Sequence, residues 1–418
     1  MKADEVPLWT ILRSREEFGG MSLPLLTVKS ESGVEVRDLS QGRQPSEDMS
    51  SYRVVRVGDL VVNRLWAKFG AYGEARHEGI ISPAYWVFKV DGSIVYPRFL
   101  HYLLRSEAYR QEIGRRSKNL PPNGYDIPWD QFKKISIPLP LLEEQRRIAD
   151  FLDAETARID KLDHAFRKTL DRLGERRATG VAAAVSGEEH TNRRPSGLSW
   201  LESSPAAWQE VRLSLVARMG SGHTPSRAKP EWWVDCTIPW ITTGEVKQVR
   251  DDRREEIFET RENISALGLA NSAAELHPAE TVVLCRTASA GYSAVMGTHM
   301  ATSQDFVTWT CGPRLDPFYL LWCLRAMRAD LLGRLATGST HKTIYVPDLQ
   351  MLRIPLPGIE EQRLIVSRIR EKNESIDGLV DKITRQIDLL AERRQALISA
   401  AVTGQIDVSS ASGRGIEE

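Results

Sequence analysis

Gly333-x4-Gly338-Ser339-Thr340 has the glycine spacing of a phosphate-binding loop. The lysine that would follow the second glycine and neutralise phosphate is missing, so that chemistry is rejected. Leu120-Pro121-Pro122-Asn123 holds residues of an amino-methyltransferase Asn-Pro-Pro-aromatic motif, but in the wrong order. The eight histidines are scattered, with no His-Glu-x-x-His, and there is no Gly-x-Ser-x-Gly nucleophile elbow. Asp251-Asp252 and Glu255-Glu256 lie in a charge-dense stretch and read as a solvated face rather than a catalytic dyad. Cys236, Cys285, Cys311 and Cys323 show no Cys-x-x-Cys spacing and read as buried free thiols, neither a zinc site nor disulfides. The chain reads as non-catalytic, without a metal or cofactor of its own.

What stands out instead is a duplicated frame. Residues 137–187 and 354–404 align without a gap at a shift of 217, with 21 of 51 positions identical. Both copies open on Ile-Pro-Leu-Pro, at Ile137-Pro138-Leu139-Pro140 and Ile354-Pro355-Leu356-Pro357. Glu143-Glu144-Gln145-Arg146 and Glu360-Glu361-Gln362-Arg363 follow, and the copies close at Gly187 and Gly404.

Each copy carries a heptad seam. The first has Ile148, Leu152, Ile159, Leu162, Phe166 and Leu173, interrupted at Glu155 and Thr169. The second has Ile365, Ile369, Ile376, Leu379, Ile383 and Leu390, interrupted at Lys372 and Gln386. The prolines block helix upstream, the acidic pair suits a helix N-terminus, and the glycines are stops. A helix of about 40 residues, roughly 60 Å long, is expected in each copy. Such seams commonly mediate oligomerisation. Two matched seams in one chain favour intramolecular, antiparallel pairing, because a tethered partner costs less entropy.

The segments between copies echo each other faintly. Val57-Gly58-Asp59-Leu60-Val61-Val62-Asn63-Arg64 parallels Ala279-Glu280-Thr281-Val282-Val283-Leu284-Cys285-Arg286, a strand ending in arginine. A second strand and a helix beginning at Pro97 or Pro317 follow each. The expected fold is α+β: two globular mixed α/β domains separated by two long antiparallel helices forming an intramolecular coiled coil, with a pseudo-twofold repeat. The expected divisions are 1–136, a first helix 137–187, a linker 188–207, a second domain 208–353, a second helix 354–404 and a flexible tail 405–418.

The formal net charge is zero over 418 residues, which argues against a strong solitary nucleic-acid binder. No apolar run approaches a membrane span and the N-terminus lacks a signal-peptide core, so a cytoplasmic location is expected by default.

The paired phrases resemble the specificity subunit of type I restriction–modification systems. Further matching phrases are Ser196-Gly197-Leu198-Ser199-Trp200-Leu201, Gly220-Ser221-Gly222-His223-Thr224-Pro225, Ile238-Pro239-Trp240-Ile241 and Ala401-Val402-Thr403-Gly404-Gln405-Ile406-Asp407-Val408. The resemblance implies two target recognition domains reading a bipartite double-stranded DNA target. It implies helices that set the spacer, like a ruler, and docking of two methyltransferase subunits, with restriction subunits in the full complex. S-adenosylmethionine, ATP and Mg are then expected on those partners. The first half lacks the Gly-x-Gly-x-Thr-Pro and Ile-Pro-Trp phrases, which implies another recognition subtype and an asymmetric target.

Under that resemblance, base-reading side chains should sit in loops after the sheet strands, arginine or lysine for guanine and asparagine or glutamine for adenine. The first-domain candidates are Arg64, Lys68, Arg76, Lys118, Asn119 and Asn123, with Arg115 and Arg116 as phosphate contacts. The second-domain candidates are Arg227, Lys229, Thr242, Thr243, Arg286, Tyr292, Gln304, His341 and Lys342. The alternatives are a coiled-coil adaptor that reads no DNA and a self-sufficient methyltransferase or nuclease.

Overall fold

Each copy of the repeat begins as a strand. Ser136–Leu139 pairs antiparallel with Asp4–Pro7, and Arg353–Leu356 pairs in the same way with Gln209–Arg212. Pro138 and Pro355 are tolerated because each lies in a ladder of only two strands. The helices begin after this phrase, at Leu142–Val185 and Ile359–Val402, 44 residues each. The computed structural model describes residues 4–20, 22–40, 48–120, 124–336 and 342–408. Asn123, His341, half of the phosphate-loop-like segment and the tail beyond 408 lie outside them.

Both helices end at a left-handed glycine, Gly187 at φ 65° and Gly404 at φ 71°. Glu188 N donates to Ala183 O and Gly187 N to Ala184 O; Gln405 N donates to Ala400 O and Gly404 N to Ala401 O. This is a Schellman stop made twice with repeat-equivalent residues.

The chain forms two compact units, Met1–Phe166 with Arg385–Glu418, and Arg167–Thr384. Each contains the start of one long helix and the end of the other. In the first unit an antiparallel sheet runs in the order Leu12–Ser14, Tyr85–Val90, Leu60–Asn63, Tyr72–Glu74. Helix Pro97–Arg105 buries Phe99, Leu100, Leu103 and Leu104. The same core takes in Ile148, Ala149 and Leu152 from the start of the first long helix, and Ile398, Ala401 and Val402 from the end of the second. The helices are thus antiparallel here, and Arg394 on one pairs with Asp160 on the other.

The second unit repeats the plan. Its sheet runs Ala217–Ser221, Phe306–Cys311, Val282–Cys285, Ser293–Met296, Glu256–Ile257, antiparallel except for the last pair. Helix Pro317–Ala326 covers it, and the core joins Val282, Leu284, Trp309, Tyr319 and Leu324 to Val181, Val185, Ile365, Val366 and Ile369. Arg177 and Asp377 bond the two long helices.

The glutamine of the repeated Glu-Glu-Gln-Arg phrase is a buried clamp. Gln145 Oε1 accepts from Tyr96 N (2.8 Å), and its Nε2 donates to Ile94 O (3.2 Å) and Pro140 O (2.9 Å). Gln362 does the same with Asp316 N (2.8 Å), Arg314 O (2.9 Å) and Pro357 O (2.9 Å). Each amide spends both ends tying a long helix to the loop that opens the covering helix.

Two expectations need correction. Ile148, Leu152, Ile159, Leu173, Ile365, Ile369 and Ile376 are buried and Phe166, Ile383 and Leu390 partly so. Leu162 and Leu379, however, are 48% and 45% exposed. Thr156 and Asn373 are buried in place of Glu155 and Lys372. A helix of 3.6 residues per turn departs from a 3.5-residue repeat, so the inward position after Leu152 and Ile369 falls one residue later, and the seam resumes at Ile159 and Ile376. The join between halves is also more than a bare linker. Arg193–Pro195 and Ser203–Pro205 pair, and the Glu210 carboxylate accepts from Ser196 Oγ (2.9 Å), Gly197 N (3.0 Å) and Ser204 Oγ (2.9 Å).

Candidate nucleic-acid interface

Arg64 and Arg286 each follow the corresponding central strand, Leu60–Asn63 and Val282–Cys285. The backbone on both sides is anchored alike. Arg64 O accepts from Ile127 N (3.3 Å) and Arg286 O from Ile344 N (2.8 Å). Ile127 and Ile344 are again 217 residues apart, and both are fully buried. The turns then close through Gly70 (φ 87°) and Gly291 (φ 88°), where a side chain would strain the backbone.

Arginines hold both turns, and in the second unit Arg328 Nε donates to Gly291 O (2.9 Å). Arg105, at the end of its helix, donates to Gly70 O (2.7 Å), Tyr72 O (3.0 Å), Ser30 O (2.9 Å) and Glu31 O. Arg325, the counterpart of Arg105 in the echo, bonds outside its turn, to Asp252 O (2.7 Å), Arg254 O (2.7 Å) and Ser293 O (3.4 Å). Burial pushes both guanidinium groups down to about 10. Neither was expected from sequence, although both end the helices that the echo aligns.

In the first unit, Arg64 makes a bidentate pair with Asp126, at 2.7 and 2.8 Å. That carboxylate raises the arginine above its ordinary value, opposed by partial burial. Asp126 lies on the hairpin Lys118–Leu120 with Gly124–Asp126, where Lys118 faces Asp126 and Asn119 faces Tyr125. Lys68 Nζ sits 3.5 Å from the Tyr125 ring centroid. Trp66 and Phe69 stand beside it, 51% and 38% exposed, with ring centroids 5.4 Å apart. Phe69 meets Tyr125 edge-on at 5.8 Å. The structure therefore gathers Arg64, Lys68, Lys118 and Asn119 around an aromatic patch that sequence reasoning missed.

Arg115 and Arg116 are on the neighbouring helix Glu107–Arg116, both paired with Glu112. Arg115 and Lys68 line one shallow hollow with Arg110. Arg76 stands apart from the group. It bonds Asp153 of the first long helix (2.8 Å), which also receives Arg98 Nε (2.7 Å) and Tyr102 Oη (2.6 Å). Arg76 is held on the long helix, away from the other candidates.

In the second unit, Arg286 Nε donates to Gln304 O (3.0 Å), and Thr224 Oγ1 donates to Gln304 Oε1 (2.6 Å). Thr242 follows strand Ile238–Ile241, whose Ile241 O accepts from Ser303 N, and Thr243 opens the next 3-10 turn. Lys342 is adjacent to Thr343, which bridges to Thr287. Arg286, Gln304, Thr242, Thr243 and Lys342 thus gather at one end of the sheet. The Gly-x-Gly-x-Thr-Pro phrase makes this possible: a Cβ at Gly222 would lie 2.1 Å from Thr302 O. Arg227 and Lys229 lie on the following loop, and Arg227 pairs with Glu262 (2.5 Å) and lies 3.8 Å over Trp233. Tyr292 does not join them; its ring packs against Arg328 (4.6 Å) and Arg250 (5.7 Å).

No group of metal-ligating side chains occurs among the described residues. Nor is any of their helices long and apolar enough to cross a membrane.

The family profile for the Type I restriction modification DNA specificity domain matches residues 89–167 and 205–387. A putative type I restriction enzyme MjaX specificity subunit from Methanocaldococcus jannaschii is 21% identical over 398 residues, covering 90% of this chain and 83% of that protein. A chain solved for the complex assembly and conformational transition of the type I R-M system superposes with a TM-score of 0.71. It is 17% identical, with 96% of this chain and 98% of that one covered. The HsdS subunit from Thermoanaerobacter tengcongensis gives a TM-score of 0.53 at 18% identity, with 97% of each chain covered. With the profile spanning most of its length and the fold shared, this chain belongs to the DNA specificity family of type I restriction–modification systems.

Proposed function

We propose that this specificity subunit reads a bipartite, asymmetric DNA target, one half-site per recognition domain, residues 1–136 and 208–353. The observation that carries the reading is the equivalence of Arg64 and Arg286. The same strand end is used twice, but with different surroundings: an aromatic patch and hairpin in one case, a glycine-rich loop and Gln304 in the other. Equal framing with unequal side chains favours two different half-sites. Arg64, Lys68, Lys118 and Asn119 read the first; Arg286, Gln304, Thr242, Thr243, Arg227, Lys229 and Lys342 read the second. Arg115 and Arg116 contact phosphate.

The chain itself supplies recognition and no catalysis. Its partners are DNA, two methyltransferase subunits and, in the full complex, restriction subunits, acting in the cytoplasm. Those subunits bring S-adenosylmethionine, ATP and Mg. The neutral chain relies on them for much of the phosphate contact. The unspecified gap is set by the length of the two long helices.

The test is co-expression with the methyltransferase subunit in a host lacking adenine methylation, followed by genome-wide mapping of modified bases. A two-part motif with a fixed gap is the expected result. Absence of new methylation, with both proteins soluble and associated, would favour an adaptor role. Inserting one helical turn into both long helices should alter the gap and leave both half-sites unchanged.

A further inference from the structure

Trp66 and Phe69 are large aromatic rings left open to solvent on a short 3-10 turn, Ala67–Phe69, directly after the recognition strand. They touch each other, and Phe69 touches Tyr125, so the patch is continuous. Cations surround it: Lys68 over Tyr125, Arg64 paired with the adjoining Asp126, and exposed Lys118 across the hairpin. The turn is rigid, closed by left-handed Gly70 and by the Arg105 bonds to Gly70 O and Tyr72 O. The corresponding segment of the second unit, Thr287-Ala288-Ser289-Ala290, has no aromatic residue.

Exposed apolar rings within a ring of positive charge are mismatched to water and matched to nucleobases flanked by phosphates. A rigid aromatic pair can enter a base step that has partly opened, and such wedges kink the duplex. We propose that Trp66 and Phe69 form a stacking wedge that holds an opened base step at the first half-site, bending the DNA there and not at the second. This inference rests on the DNA-reading function above and adds a mode of engagement to it. It also gives the first domain a source of selectivity beyond hydrogen bonds, because flexible pyrimidine–purine steps open at least cost.

The test uses the full subunit in complex with its methyltransferase. A duplex bearing the methylation motif carries a fluorescent donor and acceptor at its ends, and energy transfer reports bending. At saturating protein, the wild-type complex should show higher transfer than free DNA. Trp66→Leu with Phe69→Leu should abolish most of that rise and weaken binding about tenfold, as loss of a base-stacking contact does. Trp66→Tyr should retain the bend, which keeps the test informative if the double variant folds poorly. Phe258→Leu, which removes an exposed ring of the second unit outside the reading residues, should leave the bend unchanged. Equal transfer for wild type and the leucine variant, both fully bound, would overturn the wedge. So would a bend lost in Trp66→Tyr. If the bipartite methylation persists in either case, the DNA-reading function stands and only the wedge fails.

Discussion

Arg394 Nη1 lies 2.6 Å from Asp160 Oδ1, and the shift of 217 carries this pair onto Arg177 and Asp377, which are also bonded. One contact is thus made twice, with donor and acceptor exchanged between the two long helices. Exposed ion pairs contribute little energy, about 0.5 kcal/mol each, so their value is in register. Asp160→Arg should disfavour the native register by placing two guanidinium groups together. Adding Arg394→Asp should restore it. Denaturant melts of the single and double variants check this; a double variant no better than the worse single would refute the pairing.

Gln145 and Gln362 should be far more costly to lose. Each is fully buried, and removal of its amide strands one backbone N–H and two carbonyls. Gln145→Ala is expected to destabilise by about 2–4 kcal/mol, the cost of several unmet buried groups plus a cavity. Gln362→Ala should match it, measured as the shift in urea midpoint.

Arg105 and Arg328 hold the recognition turns through the Gly70 and Gly291 carbonyls, so their loss should blur reading without removing any proposed base contact. Arg105→Met is expected to relax the first half-site of the methylation motif and leave the second intact. Arg328→Met should do the reverse. Uniform loss of methylation in both variants would reduce these arginines to a folding role.

His101 gives a pH signature. It is fully buried, its Nδ1 accepts from Glu74 N (3.2 Å), and burial, reinforced by Arg98, Arg105 and Arg76, holds it well below the ordinary imidazole value of 6.5. The neutral form is native. In the unfolded chain the ring takes a proton as pH falls through about 6.5, so the stability it supports is full above that value. It is lost progressively on acidification towards the lower folded value. Stability of the first unit should fall between pH 7 and 5. His101→Gln, whose Oε1 can accept from Glu74 N, should flatten that slope in thermal melts across the range.

The long helices, their glycine stops and the arginine-ending strands were legible in the sequence because each is a local pattern. The seam between Leu152 and Ile159 was not, since Thr156 replaces Glu155 where 3.6 residues per turn departs from the heptad count. The aromatic patch was hidden for another reason. Phe69 and Tyr125 are distant in sequence and meet only because the hairpin returns to the recognition strand. Gln145 and Gln362 were visible as repeated letters, but their partners Tyr96 N and Asp316 N are backbone groups in segments that scarcely repeat. Arg76 shows the converse: a suitable residue type in a suitable loop, which the fold sets apart from the other candidates on Asp153.

The first unit's core closes only with Ile398, Ala401 and Val402. On a translating ribosome those residues emerge after the whole second unit has been made. At roughly 5–20 residues per second the wait is on the order of ten seconds or more. During it the apolar faces of Ile148, Ala149 and Leu152 lack their partners. The second unit, ending at Thr384, is complete first although its half of the gene is read last. The nascent chain therefore finishes folding in the reverse of its order of synthesis, and its early half is the part that needs shielding by chaperones.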